Sequence, residues 1–253
     1  MRRRRIDQLL VERGLAESRH KAQAMVLAGE VLVDEQPAGK PGRRVPVGSA
    51  VRLIRQRPRF VSRGGHKLDA AMEHFAIDVR GLACLDIGSS TGGFTDCLLQ
   101  RGAARVHAVD AGTNQLHWRL RNDRRVRVLE RFNARYLTWA DLGEAVSFAC
   151  CDVSFISAAK VVGRLPLVMR DAGEAVVLAK PQFEVGRGEV GKGGVVRERS
   201  KQLAAASQVG SALRRIGFRG VSWIESPLMG PAGNREFLVH GTLGARAGRG
   251  GSA

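Results

Sequence analysis

Acidic residues are scarce in this sequence of 253 residues: 24 Asp and Glu stand against 41 Lys and Arg, a formal charge of +17. Such an excess of positive charge attracts phosphate backbones or anionic lipid headgroups. A polyanionic partner is therefore the first hypothesis. A generally cationic surface that binds nothing specific is the alternative.

Long apolar runs are also lacking. No stretch approaches the roughly 20 apolar residues that a membrane-spanning helix requires. The opening Met-Arg-Arg-Arg-Arg is not followed by an apolar segment of the signal-peptide type. We therefore expect a cytoplasmic protein with no stable membrane association.

Cysteine is rare as well. The four cysteines, Cys84, Cys97, Cys150 and Cys151, include an adjacent pair but no C-x-x-C motif. This usage disfavours both a zinc site and a disulfide framework, and we expect no bound metal. The four side chains are interpreted as small buried hydrophobic groups.

The first 58 residues combine dense positive charge with the pattern of a small α+β unit. They carry 13 Lys or Arg against 6 Asp or Glu. Apolar spacing predicts a helix that ends near Gly14 and a second helix that Ser18 caps and Gly29 ends. Short strands are predicted at residues 31–33 and 51–54. A unit of this size buries little apolar surface by itself.

A second, larger pattern follows a polar linker at residues 55–60. Strands are predicted at residues 82–87, 106–110, 126–130, 146–152, 175–180, 221–225 and 236–240, and helices around residues 65–75, 93–101, 155–169 and 198–216. This alternation predicts an α/β fold with a seven-stranded, parallel, doubly wound sheet of the Rossmann-like type. Its ligand is expected at the carboxyl ends of the strands.

The first strand of this domain ends in the stretch LACLDIGSSTGGFT, where Asp86 precedes three glycines, Gly88, Gly92 and Gly93. Glycines at such a turn permit unusual backbone angles and let a ligand approach closely. The stretch lacks the G-x-G-x-x-G of dinucleotide enzymes and the G-K-[ST] of phosphate loops. The Asp86 carboxylate would also repel a pyrophosphate. A tight turn that binds no ligand is the alternative.

S-adenosylmethionine suits this turn, because it is cationic at its sulfur and its amino group and carries a ribose. Asp110 lies 24 residues after Asp86, at the end of the second strand, where a carboxylate can accept hydrogen bonds from both ribose hydroxyls. The predicted cofactor site comprises Asp86, Gly88, Ser89, Ser90, Thr91, Gly92, Gly93, Phe94, Asp110, Asn133 and Asp152.

Two features that the sequence lacks narrow the chemical class of the methyl acceptor. The place after the fourth strand reads Asp152-Val-Ser-Phe, without the prolines that amino-group methyltransferases for bases tend to carry there. Cys150 and Cys151 lie within that strand, which disfavours the cysteine nucleophile of carbon-5 pyrimidine enzymes.

Four charged residues are instead expected to converge at one rim of the sheet: Lys67, Asp152, Lys180 and Glu236. A ribose hydroxyl is a weak acid, so methyl transfer to it needs in-line positioning and removal of its proton. We assign the base to Lys180 and the second cation to Lys67. The two acids would orient both ammonium groups and the hydroxyl. Separate surface ion pairs are the alternative interpretation.

The segment from Arg5 to Val45, RIDQLLVERGLAESRHKAQAMVLAGEVLVDEQPAGKPGRRV, resembles the RNA-binding domain first described in ribosomal protein S-four. That resemblance implies RNA binding by the basic face of the second helix and the following loop. It assigns phosphate contacts to Arg4, Arg5, Arg19, His20, Lys21, Lys40, Arg43 and Arg44.

The four charged residues resemble the Lys-Asp-Lys-Glu tetrad of FtsJ-type RNA ribose 2′-O-methyltransferases. With VSRGGHKL, GSSTGGFT, CDVSFIS, KPQFEVG and GPAGNREF, residues 2–242 resemble the TlyA family. The resemblance implies a class I S-adenosylmethionine-dependent methyltransferase that acts on cytidine 2′-hydroxyls in 16S rRNA, 23S rRNA or both. It also implies a link to capreomycin and viomycin sensitivity.

The expected organisation is an RNA-binding domain at residues 1–54, a linker at 55–60, a methyltransferase domain at 61–242 and a disordered tail at 243–253. The glycine-rich segment at residues 186–196 is interpreted as a mobile lid over RNA, with a flexible connection as the alternative. A monomer is expected. Two other functions stay open: a membrane-active haemolysin, the name some family members carry, and a non-catalytic RNA-binding ribosome-assembly factor.

Overall fold

A computed structural model describes residues 3–27, 29–54, 59–230 and 232–245. The chain divides into two compact units, Met1–Arg59 and Phe60–Ala253. The division falls within the predicted linker. Residues 55–58 of that linker and the predicted tail beyond residue 245 lie outside the described residues.

The first unit is a small α+β fold. Its elements are β1 (Arg3–Arg5), α1 (Ile6–Glu12), α2 (Arg19–Leu27), β2 (Val31–Val33), β3 (Gln36–Pro37), β4 (Arg44–Pro46) and β5 (Val51–Leu53). Strand β2 pairs antiparallel with β3 and β5, and β1 pairs antiparallel with β4. Ser18 caps α2 as predicted, because its Oγ accepts from the Lys21 N–H at 3.2 Å. Strands β1, β3 and β4 are too short for periodicity to reveal.

The second unit is a sheet covered by helices. Its elements are α3 (Gly64–His74), β6 (Ala83–Ile87), α4 (Gly93–Gln100), β7 (Arg105–Val109), α5 (Trp118–Arg121), β8 (Val126–Leu129), α6 (Trp139–Leu142), β9 (Val146–Cys151), α7 (Leu165–Val168), β10 (Met169–Ala179), α8 (Pro181–Glu184), α9 (Arg199–Arg215), β11 (Phe218–Glu225) and β12 (Phe237–Leu243). The seven strands lie in the order β11-β12-β10-β9-β6-β7-β8. The predicted doubly wound, Rossmann-like class is confirmed.

One strand corrects the expectation of a parallel sheet. Strand β12 runs antiparallel to both of its neighbours, β10 and β11, whereas β6 to β10 pair in parallel. A parallel return needs a long crossover, usually a helix. The described residues between β11 and β12 contain no helix, so β12 returns in the opposite direction.

The long helix predicted around residues 155–169 is also wrong. That region forms two 3₁₀ turns, Ala158–Lys160 and Val162–Arg164, followed by the single helical turn of α7. Pro166 lies in the first turn of α7. Proline has no N–H to donate and is tolerated there but not in a helix interior, which prevents a continuous helix through this point.

Apolar side chains fill both faces of the large sheet. On one face Leu85 and Val177 pack with α9 residues such as Val209. On the other, Leu98 of α4 and Leu68 of α3 belong to the second cluster. All four cysteines are free, and each is at most 1% exposed, as predicted. Within the described residues, no helix is both long and apolar enough to cross a membrane.

Candidate active site

The glycine turn joins β6 to α4, and two of its glycines are required by packing. Gly88 has φ 82°, and a Cβ there would lie 2.4 Å from the Asp152 carbonyl oxygen. Gly92 has φ 96°, and a Cβ there would lie 2.3 Å from Leu120 Cδ1. Only glycine tolerates both the angle and the approach. Close contact with the chain itself, rather than with a ligand, therefore explains Gly92.

Asp86 lies beneath this turn and is fully buried. Its Oδ2 accepts a hydrogen bond of 2.6 Å from Thr95 Oγ1. Burial raises the pKa of Asp86 to about 7, and the nearby Asp152 charge adds to that rise, while the Thr95 bond opposes it. The carboxyl group therefore stabilises the turn through its bond to Thr95. Because burial favours its neutral form, Asp86 is less suited to attract a cationic cofactor than the sequence indicated.

A cavity of about 410 Å³, here called the Asp110 cavity, opens at the ends of β6, β7 and β9. Asp110 Oδ2 accepts from the Ser90 N–H at 2.8 Å, and Oδ1 accepts from the Gly112 N–H at 2.7 Å. Its lining comprises Ile87, Gly88, Ser90, Val109, Asp110, Ala111, Gly112, Gln115, Phe132, Asn133, Ala134, Asp152, Val153, Ser154, Phe155, Ile156 and Val161. The walls are thus mainly apolar, with a few oriented polar groups.

A second cavity of about 360 Å³, the Lys180 cleft, brings together all four charged residues predicted to converge. Its lining comprises Ser62, Arg63, Gly64, Lys67, Gly88, Ser89, Ser90, Thr91, Gly93, Phe94, Asp152, Ser154, Lys180 and Glu236. Asp152 follows β9, Lys180 follows β10, Glu236 precedes β12 and Lys67 lies in the first turn of α3. The strand ends and one helix end account for the convergence.

The charged residues of the Lys180 cleft form two ion pairs. Lys180 Nζ lies 2.6 Å from Asp152 Oδ1 and donates a hydrogen bond of 2.8 Å to Ser154 Oγ. Lys67 Nζ pairs with Glu236 Oε2, and both side chains are buried. Glu236 Oε1 is buried and has no hydrogen-bond partner among the described residues. Oε1 packs against the turn at Gly230, where an added Cβ would lie 2.4 Å from it, so this oxygen is closed to an incoming group.

The Asp110 cavity and the Lys180 cleft share a wall formed by Gly88, Ser90, Asp152 and Ser154. A ligand in one cavity would therefore lie next to a ligand in the other. This arrangement suits transfer of a group from a nucleoside-sized donor to an acceptor whose proton must be removed.

The predicted cofactor residues distribute unevenly over these cavities. Gly88, Ser90, Asp110, Asn133 and Asp152 line the Asp110 cavity. Ser89, Thr91, Gly93 and Phe94 line only the Lys180 cleft. Asp86 and Gly92 line neither. The glycine turn thus contributes to both cavities through its middle residues and supports them through its buried ones.

The basic residues of the first unit divide into two groups. Arg5 and Arg19 both bond to Asp7, which is fully buried; Arg5 Nη2 lies 2.9 Å and Arg19 Nε 3.2 Å from Asp7 Oδ2. The Arg5 hydrogen bond lowers the pKa of Asp7 strongly, with help from Gln23 and Arg19. The two arginines therefore help to stabilise the packing of α1 and α2, and they are less available to bind a phosphate.

The other predicted phosphate contacts do not bond to Asp7. Arg4 pairs with Glu12 at 3.6 Å, and Arg43 Nη1 donates to the Pro37 carbonyl at 3.0 Å. Four side chains are exposed and form no ion pair with any described residue: His20, Lys21, Lys40 and Arg44. These four are the most available to bind an anion.

Comparison with known proteins fits this geometry. The FtsJ-like methyltransferase model matches residues 60–243, and the S4 domain model matches residues 4–51. The chain is 48% identical over 240 residues to the 16S/23S rRNA (cytidine-2′-O)-methyltransferase TlyA of Mycobacterium tuberculosis, a match that covers 94% of this chain and 89% of that protein. The chain belongs to the TlyA family of FtsJ-like methyltransferases.

Two other similar proteins carry a haemolysin name. Hemolysin A of Brachyspira hyodysenteriae is 39% identical to this TlyA-family chain over 240 residues, covering 93% of this chain and 98% of that protein. A solved structure from Streptococcus thermophilus that is also called a hemolysin is 42% identical, covers 96% of this chain and 90% of that chain, and has a TM-score of 0.74. Haemolysin and methyltransferase names therefore occur within one family.

Sequence reasoning missed several residues at the TlyA-family site. Ser154, which bonds to Lys180 and lines both cavities, had only its place two residues after Asp152 as a signal. Gln115 bonds to Ser90 Oγ at 3.2 Å, and Phe132 lines the apolar wall. No local pattern marks these two, because they lie in irregular segments after β7 and β8.

Proposed function

We propose that this protein transfers a methyl group from S-adenosylmethionine to the 2′-hydroxyl of a cytidine in ribosomal RNA. One observation carries the proposal: the ion pairs Lys180–Asp152 and Lys67–Glu236 line a cleft that shares a wall with the Asp110 cavity. The similarity to the rRNA (cytidine-2′-O)-methyltransferase of M. tuberculosis supports the nucleotide and the RNA class.

The Asp110 cavity fits S-adenosylmethionine in size and chemistry. Its volume of about 410 Å³ lies in the range of small-molecule sites. Each Asp110 oxygen accepts one backbone N–H, and a carboxylate oxygen has a second lone pair that can accept from a ribose hydroxyl. Phe132 and Ile156 offer apolar surface for the adenine. When bound, S-adenosylmethionine supplies an electrophilic methyl group on a positively charged sulfur.

Lys180 is placed to handle the proton of the acceptor hydroxyl. Its Nζ donates to Ser154 Oγ and lies 2.6 Å from Asp152 Oδ1, a contact that is an ion pair and not an aligned hydrogen bond. The ammonium group therefore has donor positions left for the substrate in the cleft. As the general base, the Lys180 amine takes the hydroxyl proton, and the ammonium group that results is paired with the Asp152 carboxylate.

Glu236 and Lys67 orient the acceptor. Glu236 Oε2 holds the Lys67 ammonium group at the wall of the cleft, where Lys67 can donate a hydrogen bond to the ribose hydroxyl oxygen. A fixed donor at this point directs the hydroxyl oxygen towards the shared wall of the two cavities. In-line positioning of this kind is a large part of the rate enhancement in bimolecular transfer.

The first unit supplies the contacts to the RNA backbone. Exposed cations such as Lys21, Lys40 and Arg44 suit phosphates, which position an RNA without reading its sequence. The methyltransferase unit then receives a nucleotide that has left the base stack, as nucleotide-modifying enzymes require. A substrate on ribosomes agrees with the expected cytoplasmic location.

The test is a transfer assay with labelled S-adenosylmethionine on purified, unmodified small and large ribosomal subunits. Products are mapped by primer extension that stops at ribose methylation. A single modified cytidine in 16S or 23S rRNA supports the proposal and identifies the subunit. No label in either subunit, with S-adenosylmethionine binding intact, would contradict it and favour the assembly-factor alternative.

The haemolysin alternative is tested with the same variants. Red-cell lysis is compared for wild type, Lys180→Ala and Glu236→Ala. If lysis persists at the wild-type level while methyl transfer is lost, lysis is a separate property of the protein. If lysis requires both residues, or is absent from purified protein, the methyltransferase activity is sufficient to describe the chain.

A further inference from the structure

The glycine-rich segment at residues 186–196 is attached to the loop that carries Glu236 through one buried amide. Asn234 is 1% exposed. Its Oδ1 accepts from the Val196 N–H at 2.9 Å, and its Nδ2 donates to the Gly194 carbonyl at 2.8 Å. Because one partner is a donor and the other an acceptor, the amide fits in only one orientation.

The main chain of Asn234 closes the turn that leads to Glu236. Its carbonyl accepts from the Gly230 N–H at 2.9 Å. A Cβ at Gly230 would lie 2.4 Å from Glu236 Oε1, so the turn packs directly against this carboxylate. Asn234 therefore contacts the glycine-rich segment with its side chain and the Glu236 turn with its backbone. A shift of the segment would be transmitted to Glu236 and, through it, to Lys67.

The glycine-rich segment and Arg197, which directly follows it, carry positive charges without ion pairs in the described part of the chain. Lys192 and Arg197 are exposed, line a hollow of about 280 Å³, and form no ion pair with any described residue. The acids at the same hollow, Glu189 and Glu198, both pair with Lys201, at 3.6 and 3.1 Å. The hollow therefore carries three cations and two acids, a net charge of +1, and its two cations without ion pairs to described residues suit a phosphate of a nucleic-acid backbone.

We propose that Lys192 and Arg197 bind an RNA phosphate near the target nucleotide, and that Asn234 couples this binding to the position of Glu236. The inference rests on the proposed function, because it names how the same site senses its RNA substrate. Asn234 is a positioning residue: it touches neither donor nor acceptor. Occupation of the segment fixes Glu236 and, through its ion pair, the Lys67 ammonium group at the wall of the cleft.

The first test measures steady-state methyl transfer to the subunit that wild type modifies. It compares two Asn234 variants with one control variant. Asn234→Ala removes both side-chain bonds. Asn234→Asp keeps the size and the acceptor but places an anionic oxygen against the Gly194 carbonyl. We expect kcat to fall roughly ten- to a hundredfold for both, the range for a misplaced reacting group. S-adenosylmethionine affinity, measured by calorimetry, should stay within about twofold.

Gln202→Ala is the matched control. Gln202 is also a buried amide, 5% exposed, and lies on α9. Its Nε2 donates to the Val196 carbonyl at 2.8 Å and its Oε1 accepts from Arg199 at 3.5 Å, so its side-chain hydrogen bonds to described residues do not involve the Glu236 turn. Its loss should raise KM and leave kcat within about threefold. Equal kcat losses in Gln202→Ala and Asn234→Ala would mean that the segment is merely destabilised, and would overturn the coupling.

A double-variant cycle tests the link to RNA. In wild type, Lys192→Ala should raise KM and also lower kcat; in the Asn234→Ala background it should raise KM only. Additive effects on kcat would contradict coupling, since independent sites add. An unchanged KM in the Lys192→Ala, Arg197→Ala double variant would overturn the phosphate contact. These outcomes require an active wild type, so failure of the proposed function is recognised first and separately.

Discussion

The candidate functional cations of the two units differ in exposure and in ion pairing. In the first unit, Lys21, Lys40 and Arg44 are exposed and form no ion pairs with described residues. In the second unit, Lys67 and Lys180 are buried and each pairs with a carboxylate. The difference agrees with the proposed roles, in which the first unit makes many weak, adjustable phosphate contacts and the second holds one fixed geometry.

That difference determines how strongly each unit should respond to the loss of one charged side chain. Loss of one exposed cation removes one phosphate contact among several and leaves the others in place. Loss of one buried charge leaves its partner buried and unpaired and also misplaces the reacting groups. Single substitutions should therefore be severe in the second unit and mild in the first.

The largest effect is expected for Lys180→Ala. General acid–base groups typically contribute between about 10² and 10⁴ in rate, so kcat for methyl transfer should fall by that factor. Lys180→Arg is the matched control, because arginine keeps the positive charge but does not give up a proton in proteins. We expect both variants to lose activity and to bind RNA as wild type does in a filter-binding assay. A near-normal rate for Lys180→Arg would remove Lys180 from proton transfer.

A smaller effect, seen in stability, is expected for Asp86→Asn. Burial raises the folded-state pKa of Asp86 to about 7, above the roughly 3.9 of an unfolded chain. Its contribution to stability is therefore complete below about pH 4 and is lost as pH rises towards 7. Asparagine does not titrate. As pH rises over that range, the free energy of unfolding of Asp86→Asn should therefore increase relative to that of wild type by up to about 4 kcal/mol.

The measurement is the melting temperature of both proteins between pH 4 and 8. Thr95→Val is the companion variant: it removes the hydrogen bond to Asp86 Oδ2 but keeps the carboxyl group. It should lower stability without abolishing the pH dependence. A wild-type and Asp86→Asn difference that does not change with pH would show that Asp86 is ionised throughout.

Asp7 of the first unit is fully buried, and its loss should have consequences like those of losing a buried charge in the second unit. Three side chains bond to Asp7, and its folded pKa lies well below that of an unfolded chain. Stability from this group is present above pH 4 and is lost as pH falls, the opposite sign to Asp86. Asp7→Ala should cost about 2 kcal/mol of unfolding free energy at pH 7, because the arginines it frees are partly exposed to water. Urea unfolding monitored through this unit checks the value.

The smallest effects are expected for Lys21→Ala, Lys40→Ala and Arg44→Ala. Each should weaken RNA binding a few-fold and reduce the slope of log affinity against log salt by about one. Glu17→Ala, at an exposed acidic residue of the same unit, serves as the control and should leave the slope unchanged. Unchanged slopes in all three lysine and arginine variants would place the RNA surface elsewhere.

The convergence of the four charged residues was only partly predictable. Asp152 and Lys180 follow neighbouring parallel strands, so periodicity could place them at one sheet edge. Glu236 precedes its strand and reaches the same edge only because β12 is antiparallel, which the predicted parallel sheet did not include. The packing role of Gly92 could not be foreseen, because it depends on Leu120, 28 residues away in an irregular region. The pairing of Arg5 and Arg19 with Asp7 was missed for the same reason: it requires the crossing of α1 and α2. The reversal of β12 likewise follows from a connection without a helix.

The most direct test of the central claim is the chemical identity of the product. Labelled rRNA from the transfer assay is hydrolysed in alkali, which cleaves after every ribose with a free 2′-hydroxyl. The account predicts label in an alkali-resistant dinucleotide that begins with cytidine, present for wild type and absent for Lys180→Ala. Label in alkali-labile mononucleotides would show methylation of a base, and would contradict the assignment of Lys180 and Lys67 to a ribose hydroxyl.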